Sequence, residues 1–141
     1  MKDMWMDVYN ALIVNPVIAK HLAIKPSSDE EETTYQIKFY EAPETLDVTK
    51  PFIVIDTFSG PQTNAYHMAN KPVSLTFNFQ INVETQNRLL TKEIAKAVKE
   101  VMWEMGYGQL NGGLDTYFRE TKRFVDARRY RKNTRIHDTD Y

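Results

Sequence analysis

Apolar and polar residues alternate without exception along one stretch in the middle of the chain. From Val73 to Val83, apolar residues occupy the odd positions and uncharged polar residues the even positions. A period of two is typical of a β-strand with one face in the core, so this stretch predicts a long strand. Its polar face, which includes Asn78 and Gln80, carries no charged residue. We therefore expect that face to pack against another wet surface rather than to stand free in solvent.

Two longer segments have the apolar spacing of helices. Residues 3–14 place their apolar side chains on one stripe, and Asp3 is suited to cap the first turn. Residues 87–105 form a second amphipathic helix, after which Gly106 acts as a terminator. The Asn-Pro pair at 15–16 ends the first helix and starts a short further turn.

Three further stretches predict strands. Residues 35–40 alternate, residues 51–58 have a continuously apolar centre, and residues 117–131 form either one strand or two with a turn between them. The strands follow one another without an intervening helix, which favours antiparallel pairing. The predicted fold is α+β: a mainly antiparallel sheet of about four to five strands packed by two main helices, in the order α-β-β-β-α-β. Residues 1–132 form one domain, and residues 133–141 a polar tail.

The connection from Ser59 to Pro72 is long for a compact domain. It contains Tyr66 and His67, and we predict a loop. Loops of this length are often functional, so this one is a candidate contact with another molecule.

Composition narrows the possible classes of protein. The chain has 141 residues, enough for one domain with its own core. It has no cysteine, which excludes a disulfide framework, a thiolate metal site and a cysteine nucleophile. The formal net charge is −1, and no stretch approaches the roughly 20 apolar residues needed to span a bilayer. We expect a soluble, intracellular protein without a signal peptide.

Candidate catalytic and metal-binding residues are few. His21, His67 and His137 lie far apart in the sequence, and no HExxH, CxxC, GxSxG or phosphate-binding glycine pattern is present. Asp56 is the one acid in an apolar setting, and a position at the end of a strand explains it more simply than catalysis does. We therefore expect no catalytic residue, no cofactor and no metal.

Positive charge is concentrated near the C-terminus. Eight of the 18 Lys and Arg residues lie between positions 119 and 135, interleaved with aromatic residues. Three interpretations stay open. The segment contacts phosphates and stacks on bases, or it forms a charged interface with acidic patches of a neighbouring subunit, or it is a solvated edge strand that its charges protect from aggregation.

The order of elements resembles that of the small tail terminator, or tail completion, proteins of long-tailed bacteriophages. The resemblance spans most of the chain and lies in an opening helix at 4–14, a strand that begins at a proline at 51–55, a long alternating strand leading directly into an amphipathic helix at 73–105, and a strand rich in arginine and tyrosine at 124–131. None of these segments is a catalytic fingerprint.

This resemblance implies a structural subunit of the virion rather than an enzyme. It implies a hexameric ring that caps the polymerised tail tube and meets the head completion or connector protein on its other face. DNA would pass through the lumen of the ring, and no membrane would be involved. The protein would be made in the host cytoplasm and end at the junction of head and tail. A close variant is another neck protein, such as a head–tail joining subunit.

The resemblance also suggests where subunits meet. The expected interface residues are Tyr66, His67, Asn78, Gln80, Arg128, Arg129, Tyr130 and Arg131. The arginines are expected to pair with the acidic run at Glu30–Glu32 of an adjacent subunit.

Two alternatives belong to other classes of protein. The first is a nucleic-acid-binding module that uses the basic C-terminal strand, against which the near-neutral net charge argues. The second is a small α+β enzyme that works at a dimer interface, with Asp56 and His67 as its first candidate residues.

Overall fold

The structure is a computed structural model and describes residues 1–24 and 32–141. Within these ranges it contains three helices and nine strands. In chain order these are α1 (Met4–Ile13), α2 (Pro16–Leu22), β1 (Ala23–Ile24), β2 (Thr34–Tyr35), β3 (Ile37–Phe39), β4 (Phe52–Asp56), β5 (Thr63–Met68), β6 (Lys71–Thr85), α3 (Arg88–Glu104), β7 (Gly108–Gln109), β8 (Leu114–Phe118) and β9 (Arg123–Asn133).

The long strand β6 is the centre of the main sheet. Its first part pairs with β5 and its last part with β4, and β9 pairs along the other edge. The short strands β7 and β8 pair with the outer edge of β9, and β3 pairs with β4. All of these pairings are antiparallel except that of β3 with β4. The prediction of an α+β fold with a mainly antiparallel sheet is therefore confirmed.

Side-chain caps start the helices where the sequence predicts them. The Asp3 carboxylate accepts the backbone N–H of Trp5 at 3.0 Å, and the Asn15 amide oxygen accepts that of Val17, also at 3.0 Å. Asn87 caps α3 in the same way. Each cap satisfies a backbone donor that the first helical turn leaves without a partner, which is worth about 1 kcal/mol.

The core lies between the helices and one face of the main sheet. Apolar residues at odd positions of β6 pack there with α1, α2 and α3, and Phe79, Ile81 and Val83 are each 1% exposed. Burying a side chain of this size stabilises the fold by roughly 1.5–3 kcal/mol. The alternation of a strand then places the even positions of β6 on the opposite face. In the described part of the chain, no helix covers that face.

The sequence predicted a loop from Ser59 to Pro72, but the structure shows more than a loop there. It contains β5, which forms a hairpin with the start of β6. Ala69 and Asn70 connect the two strands with φ of 50° and 63°. Two central residues with positive φ are typical of the type I′ turn, whose twist suits a two-residue hairpin.

The predicted strand at 35–40 is interrupted. Gln36 is buried, and its amide binds the backbone carbonyl oxygens of Asp47 and Pro51 and the N–H of Asp47. This side chain anchors the loop before β4, so β2 and β3 are separate elements. The C-terminal prediction of two strands with a turn corresponds to β8 and β9.

The polar tail predicted at 133–141 packs onto the domain. Asn133 ends β9, and the Thr134 N–H donates to the carbonyl of Leu75 at 2.8 Å. The final residue, Tyr141, lies edge-on against Phe77 with ring centroids 5.1 Å apart. The last residues therefore cover the end of β6 rather than extending from it.

Candidate interaction surface on the helix-free face of the sheet

The face of the main sheet that turns away from the helices carries an ordered set of polar side chains. We call it the open face. Because β6 and β9 are paired in continuous register, their residues stand in rows across this face. The residues that define it are Asn78, Gln80, Asn82, Glu84, Arg129 and Arg131, together with Arg123, which contacts Glu84.

Two arginines of the open face are held by neutral amides. The Arg131 Nε–H donates to Asn78 Oδ1 at 2.7 Å, and the Arg129 Nε–H donates to Gln80 Oε1 at 3.0 Å. In each pair the two residues stand directly opposite each other in the β6–β9 register. The amides fix the guanidinium groups without neutralising their charge.

Further contacts order the ends of the open face. The Arg129 guanidinium lies 5.0 Å from the centre of the Phe58 ring, and that of Arg123 lies 4.9 Å from the Phe52 ring. Such cation–π contacts are worth roughly 0.5–1 kcal/mol at exposed sites. The Arg123 Nε–H also donates to Glu84 at 3.2 Å. Burial raises the pKa of Glu84 above its ordinary value, even though Arg123 acts to lower it.

Charge on the open face is therefore unevenly neutralised. Arg123 has a carboxylate partner in Glu84. Among the residues that the structure describes, Arg129 and Arg131 form no ion pair with a carboxylate. These two arginines give the open face its capacity to bind an anionic group of another molecule.

Arg128 does not belong to this set, contrary to the sequence prediction. It lies on the helix side of the sheet, where its Nε–H and Nη2–H donate to the two oxygens of Asp126 at 2.8 and 3.1 Å. Lys92 of α3 binds the same carboxylate at 2.8 Å. Asp126 balances the charge of Arg128 and takes two of its five N–H donors, so Arg128 has less to offer an acid of a neighbour than Arg129 or Arg131.

Tyr130 was also expected at an interface between subunits, but it lies in the core. Its side chain is 1% exposed and packs in the core beside Phe79 of β6, so it is not part of a surface in this structure. Burial raises the pKa of its hydroxyl to about 12. The alternation of β9 explains both corrections, since even positions face the helices and odd positions the open face.

Tyr66 and His67 are exposed, but they lie away from Arg129 and Arg131. They stand on β5, where Tyr66 is opposite Ser74. Ser74 and Asn78 are four residues apart on β6, about 13 Å along the strand. Of the acidic run at Glu30–Glu32, the first two residues lie outside the described part of the chain.

The structure does not bring together the two residues considered for catalysis. Asp56 is opposite Gln80 and His67 is opposite Pro72 on the same strand, which separates them by roughly 26 Å. The Asp56 carboxylate accepts the N–H of Thr57 at 2.7 Å at the end of β4. Among the described residues, no group of three His, Asp or Glu side chains is placed to hold a metal ion.

The open face also contains residues that the sequence did not single out. Asn82, Glu84 and Arg123 lie on this face because of the way β6 and β9 pair. The sequence alone does not reveal that pairing. Phe58 joins it through its contact with Arg129. The sequence did contain one signal. Within β9, Arg123, Arg129 and Arg131 are at odd positions and Arg128 is at an even position, which indicates that Arg128 points to the other face of the sheet.

Comparison of the sequence with models of known protein families finds no match. Comparison with curated proteins finds none either. Within residues 1–24 and 32–141, no helix has the length and apolar character required to cross a membrane.

Proposed function

We propose that this chain is a structural assembly subunit: a tail terminator that forms a ring, caps the tail tube and joins it to the head connector. The ring is a hexamer of this chain, and its two faces meet the tail tube protein and the head completion protein. DNA passes through its lumen. The chain acts by fitting its neighbours and not by catalysis.

The observation that carries the proposal is the open face, which is ordered although no helix covers it. Its amides hold Arg129 and Arg131 in place at 3.0 and 2.7 Å. Side chains fixed before binding lose less conformational entropy when a partner arrives. Shallow, hydrogen-bonding surfaces with arginine are typical of protein–protein interfaces.

A head-to-tail contact explains how such a surface builds a ring. In a heterologous interface one patch of a subunit meets a different patch of the next, and the series closes if the rotation allows it. Arg129 and Arg131 would meet carboxylates of the neighbour, with charge-assisted hydrogen bonds from the guanidinium groups. Acidic residues of the same chain, including the run at 29–32, supply candidate partners.

Charge reversal on the open face tests this contact. Arg129→Glu with Arg131→Glu should prevent ring formation, because both charges would then repel the acids of the neighbour. The matched control is Lys96→Glu with Lys99→Glu on the exposed side of α3, which makes the same change in net charge on the helix side of the sheet. Light scattering gives the mass of each variant in solution, alone and with tail tubes.

We expect the α3 control to assemble as the wild type does. A ring that survives reversal of both open-face arginines would refute their role in the contact. Circular dichroism on both double variants checks that the fold is intact.

A second candidate function follows from the same two arginines. Groups without a carboxylate partner also suit phosphates, so the open face is a candidate nucleic-acid surface, with Phe58 beside it. Fluorescence anisotropy with single-stranded and duplex DNA distinguishes the two. Binding that weakens steeply with salt and is lost in the Arg129→Glu, Arg131→Glu variant would favour this alternative over the ring.

A further inference from the structure

The outer edge of β8 is an exposed strand edge with apolar side chains. β8 pairs with β9 on one side, and in the described part of the chain no strand pairs with its other side. Leu114, Tyr117 and Phe118 are 46%, 44% and 40% exposed. Unpaired backbone N–H and C=O groups beside exposed apolar residues form a template for another strand.

The other edge strands of the main sheet have structural features that hinder pairing with a strand of another molecule. β5 is broken by a register shift between Asn64 and Tyr66, and β3 has only three residues. Bulges and short strands are the usual protections of an edge. β8 has five residues, more than β3, and its register with β9 is continuous, so it lacks the irregularity of β5. Its one charged residue, Asp115, is bound by Lys92 of the same chain.

The sequence of β8 is complementary to itself when it is aligned antiparallel about Thr116. Leu114 then stands opposite Phe118 of the second copy, on the side of the open face. Asp115 stands opposite Tyr117, so a carboxylate faces a phenol. The two Thr116 residues face each other. Apolar pairs and Thr–Thr pairs are favourable cross-strand neighbours.

We propose that β8 binds β8 of a second copy of this chain about a two-fold axis at Thr116. The main sheets of the two copies then form one continuous sheet. A two-fold contact of this kind uses the same patch on both copies and closes on itself. It uses a different element from the arginine-bearing part of the open face, so it stands independently of the ring.

The alternative registers are less favourable. A shift of two residues in one direction places Asp115 opposite Asp115, and like charges directly opposite destabilise a pair of strands. A shift in the other direction pairs only three residues of each β8, because the partners of Leu114 and Asp115 would be Glu120 and Arg119, which lie beyond the end of the strand. The register about Thr116 avoids both disadvantages.

A charge swap at Thr116 tests the contact. At concentrations below those at which the ring forms, wild type should show a concentration-dependent mass near twice 16.5 kDa by light scattering. Thr116→Lys and Thr116→Asp each place like charges on the axis, and each should raise the dissociation constant of the dimer by about fivefold or more. An equimolar mixture of the two variants should restore the dimer as a heterodimer. Thr63→Lys on the edge of β5 is the matched control and should dimerise as the wild type does.

The cysteine-free chain allows a second measurement. Thr116→Cys places two thiols opposite each other, and mild oxidation should give a covalent dimer in high yield, whereas Thr63→Cys should not. The proposal is overturned if wild type stays monomeric at high concentration, if Thr116→Lys dimerises like wild type, or if the mixture fails to recover the dimer. A larger assembly that Thr116→Lys leaves unchanged would overturn this contact and leave the ring standing.

Discussion

Asp126 is the one charged side chain among the described residues that is fully buried, with 2% exposed. It lies under α3 and is bound by Lys92 and Arg128 at 2.8 Å each. Burial acts to raise the pKa of this carboxyl, but the hydrogen bonds from Arg128 and Lys92 outweigh it and hold the pKa below its ordinary value. This cluster joins the helix layer to β9.

Removing this carboxylate should destabilise the fold. Asp126→Asn leaves Arg128 without its carboxylate partner and removes one of the two carboxylates that bind Lys92, so it should lower the free energy of unfolding by about 3 kcal/mol. Asp115→Asn is the control, because Asp115 binds the same Lys92 but is mostly exposed, and it should cost less than about 1 kcal/mol. Urea unfolding measures both. Equal effects in the two variants would contradict the role assigned to burial.

The lowered pKa of Asp126 also predicts how stability depends on pH. A carboxyl whose pKa is lower in the folded state stabilises the fold fully above its unfolded pKa of about 3.9 and loses that contribution as pH falls through the folded value. Glu84 has the opposite sign, because its pKa is raised. The difference in stability between wild type and Asp126→Asn should therefore shrink below about pH 4. A difference that stays constant from pH 7 to pH 2 would contradict this linkage.

At the scale of residues, the sequence predicts the open face only as far as the odd and even positions of each strand are kept apart. Asn78 and Gln80 were expected on a polar face, and the alternation of β6 places them there. Arg128 and Tyr130 were grouped with Arg129 and Arg131 by nearness in sequence, which ignores that neighbours on a strand point to opposite faces. Which residues stand opposite each other depends on strand register, and that is set by long-range packing.

At the scale of elements, the loop before β8 depends on one glycine. Gly113 has φ of +102°, and a Cβ there would overlap the carbonyl oxygen of Ala127 on β9. Positive φ and close approach of two backbones together require glycine. This position lets β8 lie against β9.

Gly113→Ala should therefore destabilise the β8–β9 hairpin. We expect a loss of about 2 kcal/mol from backbone strain. Gly108→Ala is the control, since a Cβ at Gly108 meets nothing within 4 Å and the residue has no positive φ, so we expect less than about 1 kcal/mol. Thermal unfolding compares the two variants. A Gly113→Ala protein as stable as the control would contradict the crowded geometry.

The elements differ in how well the sequence predicts them. The helices α1 and α3 and the strand β6 were predictable because their apolar spacing is regular over ten residues or more. The helices also begin at residues that are typical N-caps. β5 was missed because Thr63–Met68 has no apolar alternation, and its turn at Ala69–Asn70 lacks the usual glycine. Its strand form comes from pairing with β6, which local sequence does not encode.

At the scale of the whole molecule, the two faces of the main sheet differ: helices cover one, and in the described part of the chain the other carries polar side chains beside a small apolar cluster of Leu46, Phe52 and Val54. The helices bury one face of the main sheet, while the other face carries arginines held by amides. The sequence predicts this two-layer architecture and the polar character of the open face. It does not predict that, among the described residues, Arg128 has a carboxylate partner in Asp126 while Arg129 and Arg131 have none.

The proposed function requires that a bacteriophage encodes this chain, and its most direct test is electron microscopy of the tail tubes of that phage mixed with the purified protein. We expect a ring at one end of each tube and no further growth at that end. The Arg129→Glu, Arg131→Glu variant should leave the ends bare, while the α3 control should cap them. Tube ends that stay bare and continue to grow in the presence of excess wild-type protein would contradict the proposed role in tail termination.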